Sequence, residues 1–272
     1  NHIKSDYLTF AEKIGMEDVR FVPMSALDGD NVVNRSERCA WYTGSTLMEI
    51  LEDTPVTAER NFDDFRLPVQ YVNRPNLNFR GFCGTIASGI ARPGEKVKVL
   101  PSGKTSKVKS IVTFDGDLGE AFVDQAVTLT LEDEIDVSRG DMIVHSDDRV
   151  EQTNHLKAHL VWMHEDPGYP GKEYLFKFAS KLVPGSLEEL DYQIDVNTQE
   201  EKPVDKLQLN DIAVADLTLS QPVVVDAYPN HRLTGSFIVI DRLTNLTVGA
   251  GMVIRGLKRT HTDTKHYSEF EL

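Results

Sequence analysis

Three short motifs in this sequence contain residue types that bind phosphate, metal ions or nucleotide bases. The first, at Gly103, Lys104 and Thr105, matches the end of a phosphate-binding loop. Such a loop has a further upstream glycine, where backbone amides surround the phosphate, but Lys98 occupies that position here. Because the motif lies between two predicted strands and not between a strand and a helix, the sequence predicts a β-hairpin rather than phosphate binding.

The second motif is a group of histidines at His155, His159 and His164. On a strand, His155 and His159 share one face, whereas His164 lies on the other face or in the following loop. A metal site needs convergent ligands, commonly with a carboxylate or cysteine nearby. Asp166 is close in sequence but belongs to a segment typical of a turn. The sequence therefore favours surface or barrel-seam histidines, and we assign no metal ligand.

The third motif is Ser25, Ala26 and Leu27, which follows the apolar segment 19–24. Loops at the carboxyl ends of strands in open α/β sheets commonly bind ligands. Backbone amides in such a loop are able to contact a nucleotide base. From the tripeptide alone, however, an ordinary loop is the better interpretation, because motifs this short occur often by chance.

The remaining reactive groups are typical of structural positions, and we assign no catalytic residue. The acidic runs 132–134 and 188–191 are interpreted as solvated faces. The tripeptide 139–141, Arg-Gly-Asp, is interpreted as a turn that leads into a strand. Cys39 and Cys83 have no metal-binding spacing and are expected to be half-buried free thiols.

The first part of the chain has an α/β pattern. Apolar residues recur at helical spacing from Ile3 to Ile14, and Gly15 follows as a helix stop. Residues 19–24 are expected to form a short buried strand, and 45–51 a second helix with Leu47, Ile50 and Leu51 facing inward. One strand and two helices cannot form an α/β sheet. We therefore expect this part to be the end of a larger domain.

After a charged linker at 52–64, the pattern changes to short segments of β-type. Their spacing of roughly 8–12 residues is typical of barrels or sandwiches. A polar stretch at 147–154 separates two groups of similar size, and residues 258–272 are expected to be a polar tail. The predicted strands are 66–72, 81–86, 96–100, 106–114, 126–131 and 142–144 in the first group, and 155–163, 173–179, 190–196, 212–219, 235–241 and 248–254 in the second.

Composition excludes some classes of protein. The chain has 272 residues, 29 Lys and Arg against 43 Asp and Glu, and a formal net charge of −14. Nucleic-acid binding depends on clustered basic residues, so we expect no nucleic-acid partner. No apolar run approaches the ~20 residues that cross a bilayer, so we expect no membrane association and a cytoplasmic location.

Several segments resemble translation-factor-type GTPases. The similar segments are 21–27, 41–47 and 139–143. In this resemblance, Ser25, Ala26 and Leu27 correspond to the fifth guanine motif, whose backbone contacts the guanine base. The sequences 65–81 and 234–251 are more specific, because they resemble the large subunit of bacterial sulfate adenylyltransferase (ATP sulfurylase) and differ from elongation factors.

The resemblance implies a fold and an activity. It implies a mainly β chain with two consecutive barrels of elongation-factor type, at 61–150 and 151–257, after the α/β remnant of a P-loop GTPase domain at 1–60. Such a subunit binds GTP and Mg²⁺ and pairs with a small catalytic subunit. It couples GTP hydrolysis to formation of adenosine 5′-phosphosulfate from ATP and sulfate.

The chain departs from this family upstream of Ser25, where none of the preceding residues matches the phosphate-binding loop, the switch regions or the other guanine motif. We therefore expect a truncated GTPase that is inactive and binds no cofactor by itself. Two alternatives remain, a tRNA-binding barrel pair of an elongation factor and a generic β-barrel interaction module. Arg74, Asn76 and Arg80 are interpreted as turn residues or, alternatively, as a contact to the catalytic subunit.

Overall fold

In the computed structural model of the protein, the described residues are 2–16, 18–55 and 60–257. They divide into two compact units, 1–59 and 60–272. The predicted tail, 258–272, lies outside the described residues, as does part of the predicted linker. In the described ranges no helix is long and apolar enough to cross a membrane.

The first unit contains the two predicted helices, which are α1 (His2–Lys13) and α2 (Leu47–Asp53). α1 ends before Gly15, whose φ of +69° favours glycine. α2 begins after Thr46, since Thr46 and Glu49 form a reciprocal capping box. Apart from Ala11, the apolar residues of α1 remain exposed, and α2 buries none of its residues.

The predicted buried strand at 19–24 is wrong. These residues form no strand, and Met24 is exposed. A strand is stabilised by hydrogen bonds to a neighbouring strand, and the described part of this unit offers no such partner. In the described part of this unit, the β-type pairings that follow are two short bridges, between Ser25 and Asp30 and between Asp30 and Asn34.

The second unit begins with a barrel-like sheet of antiparallel strands. Its hydrogen-bonded order is β1-β10-β5-β6-β9-β3-β2, with β7 on β6 and β4 paired to β8. Most predicted strands are confirmed within two residues, although segment 66–72 is divided into β1 and β2. The strands are β1 (Arg66–Pro68), β2 (Tyr71–Asn76), β3 (Phe79–Thr85), β4 (Ile90–Ala91), β5 (Lys96–Leu100), β6 (Lys104–Thr113), β7 (Gly116–Leu118), β8 (Ala121–Phe122), β9 (Ala126–Leu131) and β10 (Met142–His145).

The two ends of this sheet meet. Arg66 N–H donates to the Ser88 carbonyl at 3.0 Å, Ala87 N–H to the Arg66 carbonyl at 2.8 Å, and Gln70 N–H to the Cys83 carbonyl at 2.8 Å. This closure surrounds a core of fully buried side chains. The core includes Phe65, Leu67, Phe82, Ile86, Val97, Val99, Ile111, Leu129 and Ile143.

A closed six-stranded barrel follows. Its order is β12-β16-β17-β11-β15-β13, with β13 paired back to β12 and the short β14 added to β13. The predicted strand at 190–196 is part of a longer strand, and the first strand starts inside the polar stretch 147–154. The strands are β11 (Glu151–Trp162), β12 (Glu173–Phe178), β13 (Lys181–Ile194), β14 (Glu201–Lys202), β15 (Ile212–Val225), β16 (Ser236–Asp241) and β17 (Thr247–Gly256).

Trp162 is the largest side chain in the core of this second barrel. Its ring packs edge-on against Tyr174 at a centroid distance of 5.7 Å, and its indole N–H donates to the Asp166 carbonyl at 2.9 Å. Gly168 lies so close to the indole that a side chain there would overlap it. Alternate residues of β11 point into the core, as the period of a strand requires.

Asp241 holds the turn between β16 and β17. Its Oδ1 accepts hydrogen bonds from the N–H groups of Leu243 at 2.9 Å and Thr244 at 3.0 Å, and its Oδ2 is 3.0 Å from Lys172 Nζ. The Thr244 N–H first, and then Lys172 and the Leu243 N–H, lower the pKa of Asp241 well below its ordinary value. The turn is therefore stabilised by an ionised carboxylate.

We expect Asp241→Asn to lower the free energy of unfolding by about 1–2 kcal/mol near pH 7. Because the pKa of Asp241 is depressed in the folded state, its contribution is complete above the unfolded pKa of about 3.9 and is lost as the pH falls further. Urea unfolding at several pH values should therefore show the two proteins converging in acid. Asp205→Asn, at an exposed position, is the control, and a constant difference across pH would contradict the assignment.

Candidate functional site

The Ser25 loop is a closed turn. Ser25 N–H donates to the Asp30 carbonyl at 3.3 Å, which joins the two ends of the loop. The Ser25 hydroxyl donates to Asp28 Oδ2 at 2.9 Å and accepts from the Asp28 N–H at 3.3 Å. Gly29 completes the turn with a φ of +76°, a conformation that costs glycine little. The loop therefore has a defined shape.

Ala26 and Leu27 lie at the exposed tip of this loop. Leu27 is 96% exposed, and Ala26 is exposed as well. Their backbone N–H groups donate to no acceptor within the described residues. Hence these two backbone donors belong to exposed residues, at the position where the sequence predicts contact with a nucleotide base.

Asn31 connects this loop to its surroundings. It is buried, and its φ of +54° is one that asparagine tolerates better than most residues. Its amide Nδ2 donates to the Pro23 carbonyl at 2.7 Å, and its Oδ1 accepts from the Ser36 N–H at 2.9 Å. Its carbonyl accepts from the N–H of Leu47, the first residue of α2, at 2.9 Å.

A second set of contacts joins the acidic residues of the loop. The Arg38 guanidinium lies 2.7 Å from Asp28 Oδ2 and also contacts Asp30 Oδ2. The Ser36 hydroxyl donates to Asp30 Oδ1 at 2.7 Å. The sequence predicts a loop at Ser25, Ala26 and Leu27, whereas Asn31, Ser36 and Arg38 were missed. The dense run of Asp, Asn and Ser between 28 and 36 was the available signal.

The tripeptides 103–105 and 139–141 lie at turns, as predicted. Gly103 has a φ of +73° in the turn between β5 and β6, and Lys104 and Thr105 begin β6 with exposed side chains. Gly140 has a φ of +95°, and Asp141 Oδ2 accepts from the Ser138 N–H at 2.8 Å immediately before β10. Both motifs therefore have structural explanations.

The three histidines have separate surroundings. His155 Nδ1 lies 3.3 Å from a Glu188 carboxylate oxygen, and His155 Nε2 lies 3.1 Å from Thr218 Oγ1. Burial lowers the pKa of His159. His164 Nδ1 accepts from the Asp166 N–H at 3.0 Å. Each ring thus has its own environment rather than a shared ligand position.

One acidic group in the described ranges has metal-like spacing, at Glu189, Asp191 and Asp216. Lys157 Nζ contacts Asp191 and lies 2.9 Å from Asp216 Oδ1. Burial opposes the charge of Lys157, but these carboxylates outweigh it and raise the pKa of Lys157. An ammonium group therefore already neutralises this acidic group.

The other candidate residues are partly explained. Cys39 and Cys83 are free and half-buried, as predicted. Asn76 Oδ1 accepts from the Asn78 N–H at 3.0 Å in the turn between β2 and β3, so Asn76 is a turn residue. Arg80 lies over the Phe82 ring, with 5.6 Å to the centroid. Arg74 is exposed, and its contact with another subunit stays a prediction.

A buried ionic cluster joins the two barrels and was missed from the sequence. Arg66 binds Asp226 with Nε at 3.2 Å and Nη2 at 3.3 Å, and it binds Asp148 with Nη1 at 3.0 Å. The Thr234 hydroxyl donates to Asp226 at 2.7 Å, and His231 Nε2 is 3.9 Å from Asp226. The signal available was a charged residue inside the apolar segment that begins at position 65.

Comparisons with known proteins identify relatives of the whole chain. A Cellvibrio japonicus protein named sulfate adenylyltransferase subunit 1 is 65% identical over 271 residues, 100% of this chain and 57% of that protein. A Teredinibacter turnerae protein of the same name is 62% identical over 270 residues, 99% of this chain and 58% of that protein. A Rhodopirellula baltica bifunctional enzyme CysN/CysC is 55% identical over 262 residues, 96% of this chain and 40% of that protein.

Two further comparisons concern the fold. The family model described as GTP-eEF1A C-terminal domain-like matches residues 155–254. A solved structure of Sup35 complexed with GMPPNP has a TM-score of 0.67 and 22% identity, covering 89% of this chain and 59% of that one. Sup35 complexed with GDP has a TM-score of 0.67 and 21% identity, covering 94% and 64%. These likenesses confirm the expected mainly β fold with two barrels of elongation-factor type.

The solved structures and the sequence relatives support different conclusions. The Sup35 structures share the fold of this chain, whereas the proteins named sulfate adenylyltransferase subunit 1 share most of its residues. The chain spans 57 to 58% of the length of the first two of these relatives. Over nearly its whole length, this chain is therefore similar in sequence to part of the proteins named sulfate adenylyltransferase subunit 1.

Proposed function

We propose that the whole protein is the GTPase subunit of sulfate adenylyltransferase. In this role it couples hydrolysis of GTP to the uphill reaction in which ATP and sulfate form adenosine 5′-phosphosulfate and pyrophosphate. The observation that best supports the proposal is the 65% identity with the Cellvibrio protein named sulfate adenylyltransferase subunit 1. We infer a cytoplasmic role in sulfate assimilation, with the small catalytic subunit as partner.

In this proposal the parts of the chain have different roles. Residues 1–60 are the end of a GTP-binding domain, and 61–150 and 151–257 are the second and third domains of the GTPase. The two barrels transmit the state of the nucleotide and contact the catalytic subunit. They supply no catalytic group of their own.

The Ser25 loop fits the base of a guanine nucleotide. The N–H groups of Ala26 and Leu27, which are exposed residues, suit the O6 acceptor of guanine, whereas adenine presents an amino donor at the same place. The residues of this chain do not fit the phosphates or Mg²⁺, since the sequence contains no phosphate-binding loop. We therefore assign these residues to base recognition alone.

The elongation-factor alternative is supported only by fold. Sup35 and this chain share 21 to 22% identity, and a net charge of −14 is unfavourable for binding tRNA. A gel shift with aminoacyl-tRNA at physiological salt separates the two functions. We expect no shift.

Reconstitution of the full-length subunit with the small catalytic subunit tests the proposed function. We expect the two proteins to co-elute, and GTP to raise the yield of adenosine 5′-phosphosulfate, because hydrolysis drives the uphill reaction. A non-hydrolysable GTP analogue is the control and should not raise that yield. Failure to co-elute, or a yield independent of GTP, would refute the proposal.

The 272-residue chain by itself is expected to bind GTP too weakly for calorimetry. The physical reason is that the affinity of a GTPase depends strongly on its phosphate cradle and Mg²⁺. Micromolar binding by this chain would show that the sequence contains a nucleotide site that we have not recognised.

A further inference from the structure

The Ser25 loop is held at both of its ends. Asn31 Nδ2 binds the carbonyl of Pro23, just before the loop, while Arg38 binds the side chains of Asp28 and Asp30 within it. Neither Asn31 nor Arg38 lies at the exposed tip formed by Ala26 and Leu27. Their hydrogen bonds therefore act on the shape of the loop rather than on a ligand directly.

These contacts also link the loop to α2. The Asn31 carbonyl accepts from Leu47 N–H at 2.9 Å, and Met48 N–H donates to the Val32 carbonyl at 3.0 Å. The capping box of Thr46 fixes this end of α2. The loop thus has a fixed position relative to a helix, which a turn closed only by its own residues would lack.

The ion pairs of Arg38 with Asp28 and Asp30 are expected to add little to the stability of the protein. The Arg38 side chain is 61% exposed, and exposed ion pairs contribute little to stability. Asn31, by contrast, uses its side-chain oxygen and amide nitrogen and both backbone groups in hydrogen bonds, including its N–H to the Asn34 carbonyl at 3.1 Å. Both residues restrict the conformations available to the backbone between Ser25 and Asp30.

We propose that Asn31 and Arg38 are positioning residues for guanine recognition, since they hold the N–H groups of Ala26 and Leu27 in the geometry that binds the base. This inference rests on the proposed function of the Ser25 loop. When a loop is already ordered in the free protein, the free-energy cost of ordering it on binding is smaller. Asn31 and Arg38 therefore raise the affinity for guanine without touching the nucleotide.

Two variants of the full-length subunit test the inference. Arg38→Ala removes the contacts to Asp28 and Asp30 at an exposed position, so the variant should fold. Asn31→Gly removes both side-chain hydrogen bonds, while glycine accepts the φ of +54°. Arg20→Ala is the matched control, because Arg20 is an exposed arginine paired to Asp18 at 2.8 Å outside the loop.

The measurement is the affinity for GDP and for ADP by competition with a fluorescent guanine nucleotide. The two ligands share ribose and phosphates and differ in the base. We expect each variant to bind GDP about threefold to tenfold more weakly, from the cost of ordering the loop, with ADP affinity and the Arg20→Ala control unchanged. A general loss of folded protein would not change the ratio of the GDP affinity to the ADP affinity, so this ratio reports on recognition of the base.

The outcomes separate the inference from the function. If the wild-type subunit binds GDP no better than ADP, both the base-contact role of the loop and the positioning role are wrong. If the wild type prefers GDP and both variants keep that preference, the function stands and the inference is overturned. An equal loss of GDP and ADP affinity would also overturn it, because the effect would then be structural.

Discussion

Replacing Arg66 with methionine is expected to lower the free energy of unfolding by about 3–5 kcal/mol, because the change leaves buried carboxylates without their counter-ion. The Arg66 side chain is 2% exposed, and those of Asp226 and Asp148 are 9% and 15% exposed. Methionine has similar length but offers Asp226 no donor. The loss should be measured by urea unfolding of the chain at neutral pH.

The ion pairs of Arg66 connect the two barrels. Arg66 belongs to β1 of the first barrel, whereas Asp226 directly follows β15 of the second. Beside them a small apolar cluster is formed by Leu100, Met142 and Val144 of the first barrel, with Val224 of the second packed against it. We therefore expect the variant to weaken coupling between the barrels as well as overall stability, so that unfolding broadens or separates into two steps.

Two controls distinguish this mechanism from a general effect of losing an arginine. Arg242→Met removes an exposed arginine paired to Glu173 and should change stability by less than about 1 kcal/mol. Adding Asp226→Asn to Arg66→Met should recover part of the loss, since the unpaired charge is then removed. If Arg66→Met lowers the free energy of unfolding by no more than Arg242→Met, and the double variant recovers none of it, the ionic cluster does not stabilise the contact between the barrels.

Gly89→Ala is the second change with a large expected effect, a loss of about 2–4 kcal/mol from steric overlap and an unfavourable backbone conformation together. Gly89 has a φ of +76°. A Cβ there would lie 2.5 Å from the Phe65 backbone nitrogen and 2.7 Å from the Asp64 carbonyl carbon. Because these are backbone atoms beside a fully buried phenylalanine, no side-chain rotation relieves the overlap.

Gly94→Ala is the matched control for the steric part. Gly94 belongs to the same barrel and has a similar φ of +88°, but a Cβ there would meet no heavy atom within 4 Å. Its cost should be about 1 kcal/mol, from the backbone conformation alone. Thermal unfolding of both variants measures the difference, and equal losses would mean that Gly89 has room for a side chain.

The barrels were largely predictable because their signal is local. β5 and β9 match the predicted ranges 96–100 and 126–131, and the hairpin at 101–104 follows from its turn residues. Alternating burial imposes a period of two on the sequence of each strand, and turns favour glycine, proline, asparagine, aspartate and serine. A single strand thus carries most of the information about its own location.

The candidate site was predictable only in part. Ser25, Ala26 and Leu27 were named from the sequence, but that they contact a guanine base stays a prediction. Asn31 and Arg38 were missed, because their partners are chosen by the path of the loop and not by sequence spacing. The predicted strand at 19–24 was wrong for a related reason, since an apolar segment becomes a strand only when another strand pairs with it.

The sequence by itself determined the two groups of strands, the turns between them, the helices α1 and α2, and the resemblance that locates the Ser25 loop. Those features depend on residue type and on the next few residues. Only the tertiary structure decided that the second barrel closes through β12 and β13, that Arg66 meets Asp226, and that Asn31 anchors the loop to α2. Arg66 and Asp226 are 160 positions apart, and no local preference of the chain specifies a pairing across that distance.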